Sequence, residues 1–237
     1  MFRSLVFITF ISVYLLSLHC SDAAYYIHAI EDDAKEISEH VGKSDSNIRE
    51  EETLFDFTNE NFTEDEVSLW GESSDTVREP GKSKGTFVLQ KSKLFQRAIF
   101  FALLNPQPNG AGFVGVYTNT TNMEQFSTKT GFKIKCRGQG MMKYWKIVLR
   151  YREESGEYSK GSYEAKFELN TENLDFEYIS IPFHQFKAYY RGALIIDAPP
   201  LEIAQVQTFG FQVYGGVYDM YKQAGAGALE LDYVQLY

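Results

Sequence analysis

Residues 105–121 read "NPQPNGAGFVGVYTNTT", and the fold turns on how their glycines are understood. Gly110, Gly112 and Gly115 fall in a G-x-G-x-x-G spacing, the letter pattern of a dinucleotide-binding loop. Such a loop follows a strand and opens a helix, because the helix N-terminus holds the pyrophosphate. Here Pro106 and Pro108 precede the glycines, and "FVGVYT" follows them. β-Branched and aromatic side chains suit a pleated strand, and Asn109-Gly110 is a hairpin-turn signal. The stretch therefore predicts a turn feeding a strand, with Gly112 and Gly115 where another backbone packs close. No nucleotide is expected there, and the sequence gives no reason to expect a cofactor.

The same pattern extends outward. From Leu54 on, short apolar runs such as "LFDFT", "GTFVLQK", "FQRAIFFALL", "GFKIKCR", "KYWKIVLRYR", "FEYISIP", "TFGFQVY" and "ALELDYVQLY" alternate with turn signals and show no helical period. Together they predict an all-β fold, a sandwich or jelly roll, over residues 54–237. Pro199-Pro200 bars a central strand within "YRGALIIDAPPLEIAQ", and "YGGVYDMYKQAGAGA" reads as a second long loop. Aromatic residues make up 16% of the chain, an excess that also favours strands.

The first 53 residues differ. Arg3 precedes the apolar run "LVFITFISVYLLSL", and Ser21 and Ala23 fit a small-residue cleavage site. Residues 1–23 are expected to be a secretory signal peptide, with an uncleaved signal anchor as the alternative. Once cleaved, the chain is expected to keep no transmembrane segment. Secretion or residence in the secretory lumen follows, without a K-D-E-L retention signal. Residues 24–53 form an acidic arm and linker: Tyr25–Thr53 carries nine acidic and three basic residues, −6 of the formal net charge of −9. Ile30, Ala34, Ile37 and Val41 at helical spacing predict a short amphipathic helix there. His28, Asp32, Glu36 and His40 fall on one face of it, but the row is too long to close round one metal ion, and a solvated acidic face is expected. The acidic balance lacks the basic footprint of a nucleic-acid binder.

Cleavage removes or isolates Cys20, leaving Cys136 without an intrachain partner. In "GFKIKCRGQG" the period of two puts Cys136 on the buried face with Phe132 and Ile134. No H-E-x-x-H or C-x-x-C motif is present. His184, between Phe183 and Phe186, is expected to be structural or surface-lying, and the chain is read as non-enzymatic. Asn61 and Asn119 head N-x-[ST] sequons and would be N-glycan acceptors in a secreted chain.

In order, "LFDFTNENF", "WGESSDTVREPGKSKGTFVL", "NGAGFVGV", "IKCRGQG", "ISIPFHQF…YYRG", "TFGFQVYG" and "LELDYV" resemble the complex I intermediate-associated protein 30 family. These are NADH:ubiquinone oxidoreductase assembly factors with a galactose-binding-like β-sandwich. The resemblance covers Leu54 to Tyr237. Trp70 and Ser74-Asp75 match the family's W…SD element, Arg137-Gly138-x-Gly140 its R-G-D-G turn with Gln139 replacing the acid, Pro182-Phe183 and Phe186 its P-F-x-x-F, and Arg191-Gly192 its following R-G. One departure is Val77–Ser83, where Pro80 stands in place of a glycine pair. The resemblance implies an assembly module that binds a client protein, and a mitochondrial address as the alternative to a secretory one.

Physically, Trp70 is expected to anchor the core, with Asp75, Arg137 and Arg191 tying strand ends through charge-assisted hydrogen bonds. A glycan is the alternative partner. Trp145, Tyr214, Tyr218 and Tyr221 are the candidates to stack against its rings.

Overall fold

A computed structural model describes residues 51–108, 112–151, 161–216 and 219–237. The targeting segment, most of the acidic arm with its His28–His40 row, the Asn109-Gly110 turn and Tyr218 lie outside the described residues.

Among the described residues, thirteen antiparallel strands form two sheets. The first has the order β3 (Lys84–Lys91), β4 (Gln96–Leu104), β13 (Gly225–Leu236), β6 (Gly131–Gly140), β9 (Glu177–Pro182), with β1 (Glu52–Asp56) also paired to β13. The second has the order β11 (Ala193–Leu194), β10 (Lys187–Tyr190), β8 (Ser162–Glu168), β7 (Tyr144–Tyr151), β12 (Val206–Tyr214), β5 (Phe113–Asn119), β2 (Gly71–Ser74). The expected all-β sandwich is the architecture found. The loop expected from Tyr214 runs shorter than the sequence suggested, because β13 already begins at Gly225.

Each sheet turns its alternate apolar positions inward. Phe100 on β4 meets Trp145 on β7 edge-on at 5.7 Å, and Phe132 on β6 meets Phe209 on β12 at 5.4 Å. Trp70 stacks on Phe87 at 4.4 Å and contacts Phe55 and Phe57 edge-on. These rings interlock two apolar faces that neither sheet could leave in water. A short helix, α1 (Glu64–Ser68), delivers Trp70 to the core. Thr63 and Glu66 form a reciprocal capping box at its start, and buried Val67 faces inward. Among the described residues no helix is long and apolar enough to cross a membrane.

The glycines of the opening stretch feed a strand, β5, and no helix follows them. A Cβ on Gly115 would stand 2.7 Å from the Phe211 carbonyl oxygen of the adjacent β12, so only glycine lets the two strands approach this closely.

Candidate functional site

The family-motif residues fall into separate places. Trp70, 8% exposed, is a core anchor. Asp75 is buried at the end of β2. Its Oδ1 accepts the Ser83 backbone N–H at 2.9 Å, and its Oδ2 accepts the Ser83 hydroxyl at 2.8 Å and the Phe113 N–H at 3.3 Å. One carboxylate thus closes the 76–82 loop and pins it to the start of β5. The loop passes so near that a Cβ on Gly81 would meet the Asp75 carbonyl oxygen at 2.0 Å. Pro80 within it follows a cis peptide bond. Arg191 is exposed, occupies the turn between β10 and β11 with a left-handed φ of 52°, and lies over the Tyr190 ring at 5.2 Å. It neither meets Asp75 nor ties strand ends by an ion pair among the described residues.

Arg137 is different. It projects from β6 onto the outer face of the six-stranded sheet, opposite Glu230 on β13. Its Nε and Nη2 donate to Glu230 at 3.1 and 2.8 Å, and its Nη1 donates to the Leu174 carbonyl at 2.5 Å. Arg97 on β4 donates to the same carboxylate at 2.8 Å, and Gln139 also donates to it. Both guanidiniums lie over the Phe176 ring, at 4.5 and 4.9 Å, and Arg97 also lies over Phe95. Lys135 pairs with Asp232 at 2.8 Å alongside, and that hydrogen bond raises the lysine's pKa. Two arginines, one carboxylate and an aromatic ring therefore form a rigid polar platform.

Further along the same face the side chains turn apolar. Phe101 and Leu103 on β4 stand 47% and 49% exposed, and Met141 beyond β6 is 68% exposed. Strand register sets Thr86 and Ala228 either side of Phe101, and Ala226 beside Leu103. Alternation explains their outward direction, since Phe100, Ala102 and Leu104 fill the core. The sequence reading missed this strip, although in "AIFFALL" every second residue had to face away from the core.

The expected glycan-stacking set is not assembled. Trp145 is fully buried, and its indole N–H donates to the Met142 carbonyl at 3.0 Å, so it has no ring face to offer and that expectation is corrected. The physical reason is strand period: Trp145 shares the inward face of β7 with Ile147 and Leu149. Tyr221 is exposed but stacked on Tyr144 at 4.5 Å. Tyr214 lies against Lys146 and Lys166 at 5.1 and 5.2 Å. Burial draws the Lys146 ammonium below its usual range against the pull of Glu164, which it meets at 2.5 Å. Tyr218 lies outside the described residues.

Cys136 is buried and unpaired, as its alternation required, and burial pushes its thiol far up in pKa. His184 is exposed on the turn after β9. Asn61 and Asn119 are both exposed.

With this geometry in place, the relationships to other proteins can be read. The family model described as complex I intermediate-associated protein 30 matches residues 55–232. An uncharacterized protein of Schizosaccharomyces pombe is 30% identical over 125 residues, covering 49% of this chain and 55% of that protein, so the match spans about half of the relative. Among solved structures, a family 11 carbohydrate-binding module from Clostridium thermocellum, in complex with a β-1,3-1,4-mixed-linked tetrasaccharide, superposes with a TM-score of 0.57 at 14% identity, covering 78% of this chain and 94% of that one. The family 11 module of the cellulase Lic26A-Cel5E of Clostridium thermocellum gives 0.53 at 15% identity, covering 79% and 94%. At that identity the likeness is one of fold.

Proposed function

The chain belongs to the complex I intermediate-associated protein 30 family, and from that premise we propose that it is a non-enzymatic assembly module that holds a client protein on the outer face of its six-stranded sheet. The observation that carries this reading is the half-exposed Phe101 and Leu103 strip beside the Arg97–Glu230–Arg137 platform. Protein interfaces concentrate aromatic residues, Met and Arg at their centres. A rigid sheet also presents such groups with little loss of conformational freedom on binding. The client complementary to this face carries an apolar anchor for Phe101 and Leu103, with polar groups toward the platform edge.

We further propose deployment in the secretory pathway, on the basis of the apolar run after Arg3, the small-residue site at Ser21 and Ala23, and the exposed sequons Asn61 and Asn119. Mitochondrial deployment is the family-based alternative. The address is tested by expressing the full chain and treating it with an N-glycosidase: a mobility shift abolished by Asn61→Gln with Asn119→Gln supports it, and an unshifted band co-fractionating with mitochondria overturns it.

Docking is tested by co-purification. A defined client should accompany the wild-type chain and be lost from Phe101→Ser/Leu103→Ser at unchanged thermal stability. Equal recovery with the double variant would sink the assignment of this face.

A further inference from the structure

The outer face of the seven-stranded sheet points away from this docking face and has its own relief. β5 and β12 run antiparallel in mid-sheet, with Gly115 opposite Gln212 and Tyr117 opposite Gly210. The two glycines therefore lie diagonally adjacent on one face. Where they lack side chains the sheet is notched by a shallow, open groove. β7, on the other side of β12, brings Val148 opposite Gly210 and Arg150 opposite Thr208. β2 brings Ser73 opposite Gly115. The groove thus has a backbone floor and walls of Tyr117, Gln212, Val148 and Arg150.

The chemistry of those walls is specific. Tyr117 is half-buried, and its ring is held over Gly71, where a Cβ would lie 3.4 Å from the ring carbons. Gln212 is only 8% exposed, and its amide makes no hydrogen bond among the described residues. Arg150 is half-buried and forms no ion pair among the described residues, so its five donors remain available. Ser73 and Thr208 add hydroxyls, and among the described residues no carboxylate lines the groove. Such a set does not suit a metal ion, which needs anionic or imidazole ligands. Nor does one cation make the basic track that a polyphosphate chain follows. It suits a compact ligand with several hydroxyl oxygens close together and an apolar C–H face. The notch is shallow and open, so a sugar ring would lie across it over the Gly115 and Gly210 backbone, with its neighbours lying over the sheet.

We propose that this groove is a saccharide site, in which Tyr117 stacks on a sugar ring while Arg150 and Gln212 hydrogen-bond its oxygens. The site differs from the Trp145 and Tyr218 set read from the sequence, and it operates independently of client docking on the opposite sheet.

The probe is an immobilised array of neutral and carboxylate-bearing oligosaccharides, incubated with the full chain, followed by titration of the retained glycan. Wild-type protein should be retained on a restricted glycan class. Tyr117→Ala and Arg150→Ala should each weaken binding about tenfold or more, the scale of losing a stacked ring or a charge-assisted hydrogen bond. Tyr117→Phe should keep most of it. Phe101→Ser, on the other sheet, should leave it unchanged. Arg150 has no ion-pair partner to orphan among the described residues, so its variant tests the site without breaking a described contact. Retention that collapses with added salt assigns Arg150 a carboxylate, and retention indifferent to salt assigns it a hydroxyl pair. A blank array, or retention untouched by both alanine variants, overturns the proposal.

Discussion

Glu230 is a charged residue only 5% exposed, and it survives there because Arg97, Arg137 and Gln139 all donate to its carboxylate. Removing the charge strands two guanidiniums over Phe176. Glu230→Gln is expected to lower stability by about 2–3 kcal/mol, short of the ~3–5 for breaking a fully buried pair, because both arginines keep a solvent edge. The measurement is a urea midpoint at constant m. A loss below about 0.5 kcal/mol would mean the cluster is merely solvated. Residue roles were unevenly legible in the sequence. Trp70 as a core anchor and Cys136 as a buried thiol followed from size and alternation. Trp145 was misread: its alternation with Ile147 and Leu149 marks an inward face, but its stacking chemistry was preferred. The partnership of Arg137 with Glu230 joins positions 93 apart in the chain, and no local pattern encodes such a pairing.

At the scale of elements, β5 shows how much a short stretch can specify. Its side chains and the prolines before it announced a strand, and its glycine announced a close approach to another backbone. Which backbone was beyond the sequence, since the register of β5 against β12 is set by the whole sheet. Gly115→Ala should force β5 and β12 apart at the Phe211 carbonyl and cost about 1–3 kcal/mol. Hydrogen exchange should show the loss centred on β5 and β12, with the six-stranded sheet little changed. Uniform loss of protection across both sheets would contradict that local origin. The same distant register kept the groove between Gly115 and Gly210 out of sight. Each glycine is readable as a strand glycine, but their adjacency is not.

For the molecule as a whole, alkaline pH is the revealing variable. Burial raises Tyr233 to about 12, and raises Tyr151 and Tyr214 as well. Each holds its proton in the folded state above pH ~10, where the unfolded chain gives it up. Their stabilisation is complete below that pH and is lost as pH rises through the folded values. Lys135, raised by Asp232, acts in the same direction above its ordinary value, while Lys146, lowered by burial, acts in the opposite one. Denaturant midpoints should therefore be level to about pH 9 and fall between about pH 10 and 12, with a shallower fall in Tyr233→Phe. A flat profile through pH 12 would refute this. The fold class was legible at this scale because two apolar faces need only alternation and turns to be announced. The strand order was not, and one detail of it matters for how the protein is made. β13 is the thirteenth strand in sequence, yet it lies mid-sheet and pairs with β1, β4 and β6. A nascent chain still holding Gly225–Leu236 within the ribosome has no six-stranded sheet to close. Until translation delivers that strand, the facing edges of β4 and β6 stand unpaired, and it is then that a chaperone has something to hold.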